Sequence, residues 1–228
     1  MGLGLGAAVA LLLLALGTFS QSDDDEVPEA LADFRSQATA CDASIPDPPT
    51  EMRFQTPINQ ALRADAVITA TLETSCGTIV LELDNEAFPQ TVNNFVFLAR
   101  NGYYDGTAFH RIAADFVIQG GDPTAAGTGG PGYTIADEFP PTGFVYEPGV
   151  VAMANAGRGT TGSQFFIVSG ATASTLNPSF NVLGRVIDGL DVVDRIDQVP
   201  TRRQAAGREQ SYPTESVYLE SVTITVNG

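Results

Sequence analysis

From Ala66 onward the chain is a succession of short apolar runs closed off by Gly, Pro, Asn or Asp, and a chain punctuated in this way cannot build a helical bundle. It must pair strands. Val67–Glu73 and Thr78–Leu83 flank Ser75-Cys76-Gly77, a hairpin signal, and further strand runs lie near Phe109–Ile112, Val117–Gly120, Val150–Ala154, Gln164–Val168, Val182–Val186 and Val217–Val226. Helical spacing is confined to two places. After Pro89, which suits a first turn, Val92, Phe95, Val96 and Ala99 recur at helical period, and Gly102 is placed to end that helix in a left-handed cap. A second short helix is expected over Leu190–Ile196. Many strands and two separated helices predict a mainly β protein, an antiparallel barrel with helices closing its ends.

Composition limits what such a barrel does. The 228 residues, 43% hydrophobic, suffice for one domain with a substantial core. Twenty-seven acidic residues against eleven arginines and no lysine give a net charge of −16, which repels phosphate backbones and anionic lipid headgroups and excludes nucleic-acid binding. Residues 1–22 carry no charge, and Leu3–Phe19 is nearly all Leu, Ala, Val and Gly. That segment reads as a retained membrane anchor, with signal cleavage near Ala15-Leu16-Gly17 as the alternative, so the expected location is extracytoplasmic, anchored or secreted. Residues 23–65, acidic at first and then scattered with Pro46, Pro48, Pro49 and Pro57, read as a linker, leaving 66–228 as the folded domain. Cys41 and Cys76 are the only cysteines; a disulfide and two free thiols both remain open.

Chemistry concentrates in two runs. In FHRIAADFVIQGGD, Phe109–Asp122, strand alternation sends Phe109 and Arg111 one way and His110 and Ile112 the other, making Arg111 a cation among apolar neighbours. In GSQFFIV, Gly162–Val168, Gln164 and Phe166 share a face opposite Phe165 and Ile167, and Phe165 reads as core packing. Together they suggest one site. Common enzyme signatures fail: the glycine-rich loop Gly127–Gly132 has no following Lys-Ser/Thr, and the lone His110 has no G-x-S-x-G elbow to serve. Nor is one histidine with loose carboxylates a metal site. His110 reads as a hydrogen-bonded structural residue on the core face of its strand.

Three segments, FHRIAADFVIQGGDP, GTGGPGY and VAMANAGRGTTGSQFFIV, resemble the cyclophilin family of peptidyl-prolyl cis-trans isomerases. TVNNFVFLARNGYYDGTAFHR, similar to the bacterial branch, and LGRVIDGLDVVDRI extend the likeness over Ala66–Val226. The resemblance implies a closed eight-stranded antiparallel barrel capped by two helices, and an enzyme that rotates Xaa-Pro bonds in polypeptides without cofactor or metal, as a monomer. It implies Arg111 as the catalytic cation, with Phe116 and Gln119 beside it. Val117, Phe166, Leu176 and Phe180 then wall the proline pocket, Gln164 orients substrate, and Ala154 and Asn155 present backbone to an extended peptide. Two departures stand out: Thr175 and Phe180 occupy places where the family often has tryptophan and histidine. Weak sensitivity to cyclosporin-type inhibitors is expected from the missing indole donor. A proline-peptide binding module or chaperone with little turnover is the alternative function, and a hydrolase is disfavoured for want of a nucleophile–base pair.

Overall fold

The computed structural model describes residues 27–203 and 209–227, so the expected anchor at residues 1–22 lies outside the described residues. Strands β1 (Val67–Thr74) and β2 (Gly77–Leu83) form the expected hairpin, then α2 (Pro89–Arg100) follows, with an earlier helix α1 (Glu29–Ser36) upstream. Glu138 accepts from the backbone N–H groups of Gln90 and Thr91, placing a carboxylate where the N-terminus of α2 has free donors. Gly102, at φ 71°, ends the helix as expected. Next come β3 (Thr107–Ala108), β4 (Arg111–Ala113), β5 (Val117–Gly120), β6 (Val150–Met153), β7 (Phe165–Val168), β8 (Val182–Asp188), α3 (Leu190–Asp197), the hairpin β9 (Thr201–Arg203) with β10 (Gln210–Pro213), and β11 (Tyr218–Asn227).

One antiparallel sheet runs in the order β3-β11-β1-β2-β8-β6-β7-β5-β4. Its two edge strands are neighbours in sequence. Only Phe109 and His110 separate β3 from β4, and an isolated bridge pairs Ala108 of β3 with Asp122, two residues past β5, so the sheet is curled into a barrel-like wall. Counted as one bent strand, β3 and β4 reduce the nine segments to the eight expected. The bend also corrects the alternation read from sequence: Phe109 and Ile112 both enter the main core, because the chain leaves strand conformation between them.

Both faces of the sheet around β5, β6 and β7 are apolar. Ile118, Val151, Met153, Phe165 and Ile167 point into the core with α2 and α3, while Val117, Ala152, Phe166 and Val168 point outward into a second cluster. That second cluster is the floor of the site.

The segment expected as a linker is instead packed on the barrel. Leu31 and Phe34, three apart on α1, are buried with Ala108, Ala125, Tyr212 and Tyr218. Thr39 forms a parallel bridge with Ser216, Cys41 is disulfide-bonded to Cys76, and Phe54 stacks edge-on to Phe97 at 4.9 Å. The prolines of this stretch suit an irregular strap that buries single apolar residues without periodicity. The arginine-rich stretch from Thr201 begins as β9 and packs through Arg202 against Asp33 and Tyr212. Among the described residues no helix is long and apolar enough to cross a membrane.

Candidate active site

Register places the site on a single rung of the sheet. Arg111 on β4 lies opposite Gln119 on β5, Gln119 opposite Phe166 on β7, Phe166 opposite Ala152 on β6, and Ala152 opposite Val182 on β8. Side chains one rung apart on the same face touch, so the cation, an amide and an aromatic ring are neighbours by pairing alone. The tight turn between β4 and β5 brings Phe116 over them. Asp115 takes φ 57° there, a conformation that Asp tolerates, and its side chain accepts from the backbone N–H of Ala171. The Arg111 guanidinium carbon then stands 5.7 Å from the Phe116 ring centroid.

A cavity of about 230 Å³ opens on this rung, lined by Arg111, Phe116, Val117, Gln119, Ala154, Asn155, Phe166, Leu176 and Phe180. Nine of the ten residues singled out from sequence thus meet around one space. The tenth, Gln164, lines the adjoining cleft and hydrogen-bonds Gln119. Phe180 meets Phe166 edge-on at 5.4 Å, and its backbone is pinned by Tyr146, whose hydroxyl donates to Phe180 O at 2.9 Å and accepts from Phe180 N–H at 3.2 Å. Burial raises the pKa of the Tyr146 hydroxyl, which keeps it a donor. Tyr146 escaped the sequence reading because its run, Phe144-Val145-Tyr146, lies in a loop without strand period. Thr175 is exposed at the rim, with its hydroxyl bonded back to Thr172 O.

Arginine can only donate, and that fixes a chain of amides. Gln119 must turn Oε1 to Arg111 Nη1, at 3.2 Å; its Nε2 then donates to Gln164 Oε1 at 3.0 Å, and Gln164 Nε2 donates to Gly129 O at 3.0 Å. The chain ends on the glycine-rich loop. Gly129 is required there, since a Cβ at that position would fall 2.1 Å from Asp122 Oδ1, and its own N–H donates to Asp122 Oδ2 at 2.9 Å. At the other end of the chain Glu209 accepts from Arg111 Nε at 2.7 Å and Nη2 at 2.8 Å. The hydrogen bond from Arg111 holds the Glu209 carboxyl below its ordinary pKa. No sequence signal links Glu209 to Arg111 across their separation of 98 residues.

His110 is buried as expected but not hydrogen-bonded: neither ring nitrogen has a partner among the described residues. Asp122, whose charge acts on the imidazole, is already occupied by Thr124 and Gly129. Burial keeps the imidazole pKa below its usual value.

A ring-sized apolar pocket beside one oriented cation, open along a groove of backbone and amides, defines a peptide-handling site. Residues 69–224 match the family model described as cyclophilin type peptidyl-prolyl cis-trans isomerase/CLD. The chain is similar to the probable peptidyl-prolyl cis-trans isomerase A of Mycobacterium bovis, with 42% identity over 175 residues, covering 70% of this chain and 93% of that protein. It is also similar to the mouse peptidyl-prolyl cis-trans isomerase-like 1, 48% identical over 136 residues, with 58% and 81% covered. A crystal structure of a cyclophilin type peptidyl-prolyl cis-trans isomerase of Cryptosporidium parvum superposes with a TM-score of 0.62 at 30% identity, covering 71% of this chain and 99% of that one. The chain therefore belongs to the cyclophilin-type peptidyl-prolyl cis-trans isomerases.

Proposed function

We propose that this protein accelerates rotation about Xaa-Pro bonds in exported polypeptides, with Arg111 donating a hydrogen bond to the prolyl nitrogen while the proline ring occupies the Phe116–Phe166–Leu176 pocket. The barrier, roughly 18–20 kcal/mol, comes from C–N resonance, and no bond is broken, so no nucleophile is needed. As the amide twists, the prolyl nitrogen regains its lone pair, and a guanidinium fixed beside it binds the twisted state better than the planar one. A charge-assisted hydrogen bond contributes roughly 1.5–3 kcal/mol, about one to two powers of ten in rate. The remainder falls to the apolar pocket, which sheds water around the twisting amide.

The carrying observation is the rung that sets Arg111, Gln119 and Phe166 side by side on the cavity wall. A second Cryptosporidium parvum structure, determined in the presence of the dipeptide Ala-Pro, is 31% identical with a TM-score of 0.61, and supports a proline ligand for this groove. The Cys41–Cys76 disulfide supports an oxidising, extracytoplasmic setting. A protease-coupled assay on an Xaa-Pro peptide tests the reading. The native protein is expected to accelerate isomerisation and Arg111→Ala to lose most of it. Background rates in both, with peptide binding retained, would favour a proline-peptide binding module instead.

A further inference from the structure

The carboxylate of Glu209 meets the guanidinium of Arg111 side-on. One oxygen accepts from Nε at 2.7 Å and the other from Nη2 at 2.8 Å, the planar fork that arginine and carboxylate form best. Gln119 takes a third donor, on Nη1. Arginine has five N–H donors in all, so one remains on each terminal nitrogen while the plane of the group is held from its side and from its tip. The cavity beside it stays open, with Arg111 still part of its lining.

Glu209 is outside the barrel sheet. It immediately precedes β10, and the β9–β10 hairpin is anchored elsewhere: Tyr212 Oη donates to Asp33 of α1, the Tyr212 ring lies 4.9 Å from Phe34, and Arg202 sits 4.3 Å over that ring. The carboxylate is therefore presented to Arg111 by an element whose own position is set by the N-terminal helix. The Glu209 side chain is 49% exposed, so solvent screens much of its charge and weakens its electrostatic quenching of the guanidinium.

We propose that Glu209 is a positioning residue for the isomerase reaction: it fixes the plane and reach of the Arg111 guanidinium so that the free donors meet the prolyl nitrogen. This rests on Arg111 being the catalytic cation. An unanchored arginine samples several rotamers, and small misplacements of a reacting group cost large factors in rate. Glu209→Gln keeps the size but turns an amide N–H toward one of the two arginine donors, which breaks the fork.

The test compares the native protein, Glu209→Gln, Glu209→Asp and Arg111→Ala by NMR exchange spectroscopy on an Ala-Pro peptide, with peptide Kd and thermal unfolding measured alongside. Glu209→Gln is expected to slow on-enzyme exchange roughly tenfold with Kd within about twofold of native. The Arg111 Nε–H resonance is expected to lose its protection from solvent exchange, and Glu209→Asp to recover part of the rate. Native or faster exchange in Glu209→Gln, or a rate loss matched by an equal loss of binding, would overturn the positioning role, the faster case marking Glu209 as a brake. If Arg111→Ala itself exchanged at the native rate, the catalytic reading of Arg111 would fail instead. Should Glu209→Gln unfold, the rate of Glu209→Asp decides, a native value counting against the proposal.

Discussion

At the scale of single residues, the site consists of groups whose alternatives are removed by their neighbours. Arg111 forces the orientation of Gln119, and Gln119 that of Gln164, because each amide has one accepting and one donating end. His110 shows the reverse case, a polar ring buried without hydrogen-bond partners among the described residues. Its pKa lies below 6.5 in the folded state, so on acidification through that value the unfolded chain takes up a proton that the native protein refuses. Stability is then expected to fall as pH drops below about 6.5, and His110→Asn to flatten the slope of Tm against pH between about 5 and 7. An unchanged slope would show that the imidazole titrates normally. Thr175 is a second test: it offers the groove no indole, so Thr175→Trp is expected to tighten cyclosporin inhibition by up to about tenfold, the worth of one hydrogen bond, with turnover little changed. Equal inhibition constants for the two proteins would contradict this.

At the scale of elements, the core strands and the two helices α2 and α3 were legible because their periods are regular and Pro89 and Gly102 mark the ends of α2. The rung of Arg111, Gln119 and Phe166 was legible through the family resemblance, while alternation by itself separated Phe166 from Phe165 but paired Arg111 wrongly with the core residue Phe109. What escaped was everything held by isolated contacts. Helix α1 has only Leu31 and Phe34 to bury, and Phe54 reaches the core from a strap without period, so neither leaves a repeat to detect. Glu209 escaped because a fork across two distant elements has no local signature. The disulfide joins residues 35 apart, and its removal by Cys41→Ser with Cys76→Ser is expected to lower unfolding free energy by about 4 kcal/mol, read from urea denaturation. A loss below about 1 kcal/mol would mean that the strap stays docked even in the unfolded reference state. Phe34→Ala, with the disulfide intact, is expected to cost about 3–5 kcal/mol and to loosen the hairpin that carries Glu209.

At the scale of the whole molecule, the curled sheet has an inner face that builds the core and an outer face that builds the groove, and α1 with the β9–β10 hairpin braces the Arg111 edge of the groove from outside. Under the proposed function, such a design separates holding a peptide from turning it: Ala154, Asn155 and the apolar walls would bind a proline segment in either isomer, and Arg111 would act on the twisted amide alone. The direct measurement of that separation is a pair of numbers on Arg111→Ala: the Kd for an Ala-Pro peptide and the rate of its bound cis–trans exchange. The expected result is a Kd within about twofold of native and an exchange rate lower by at least about one to two powers of ten. Exchange at the native rate, or a Kd weakened in the same proportion as the rate, would contradict it.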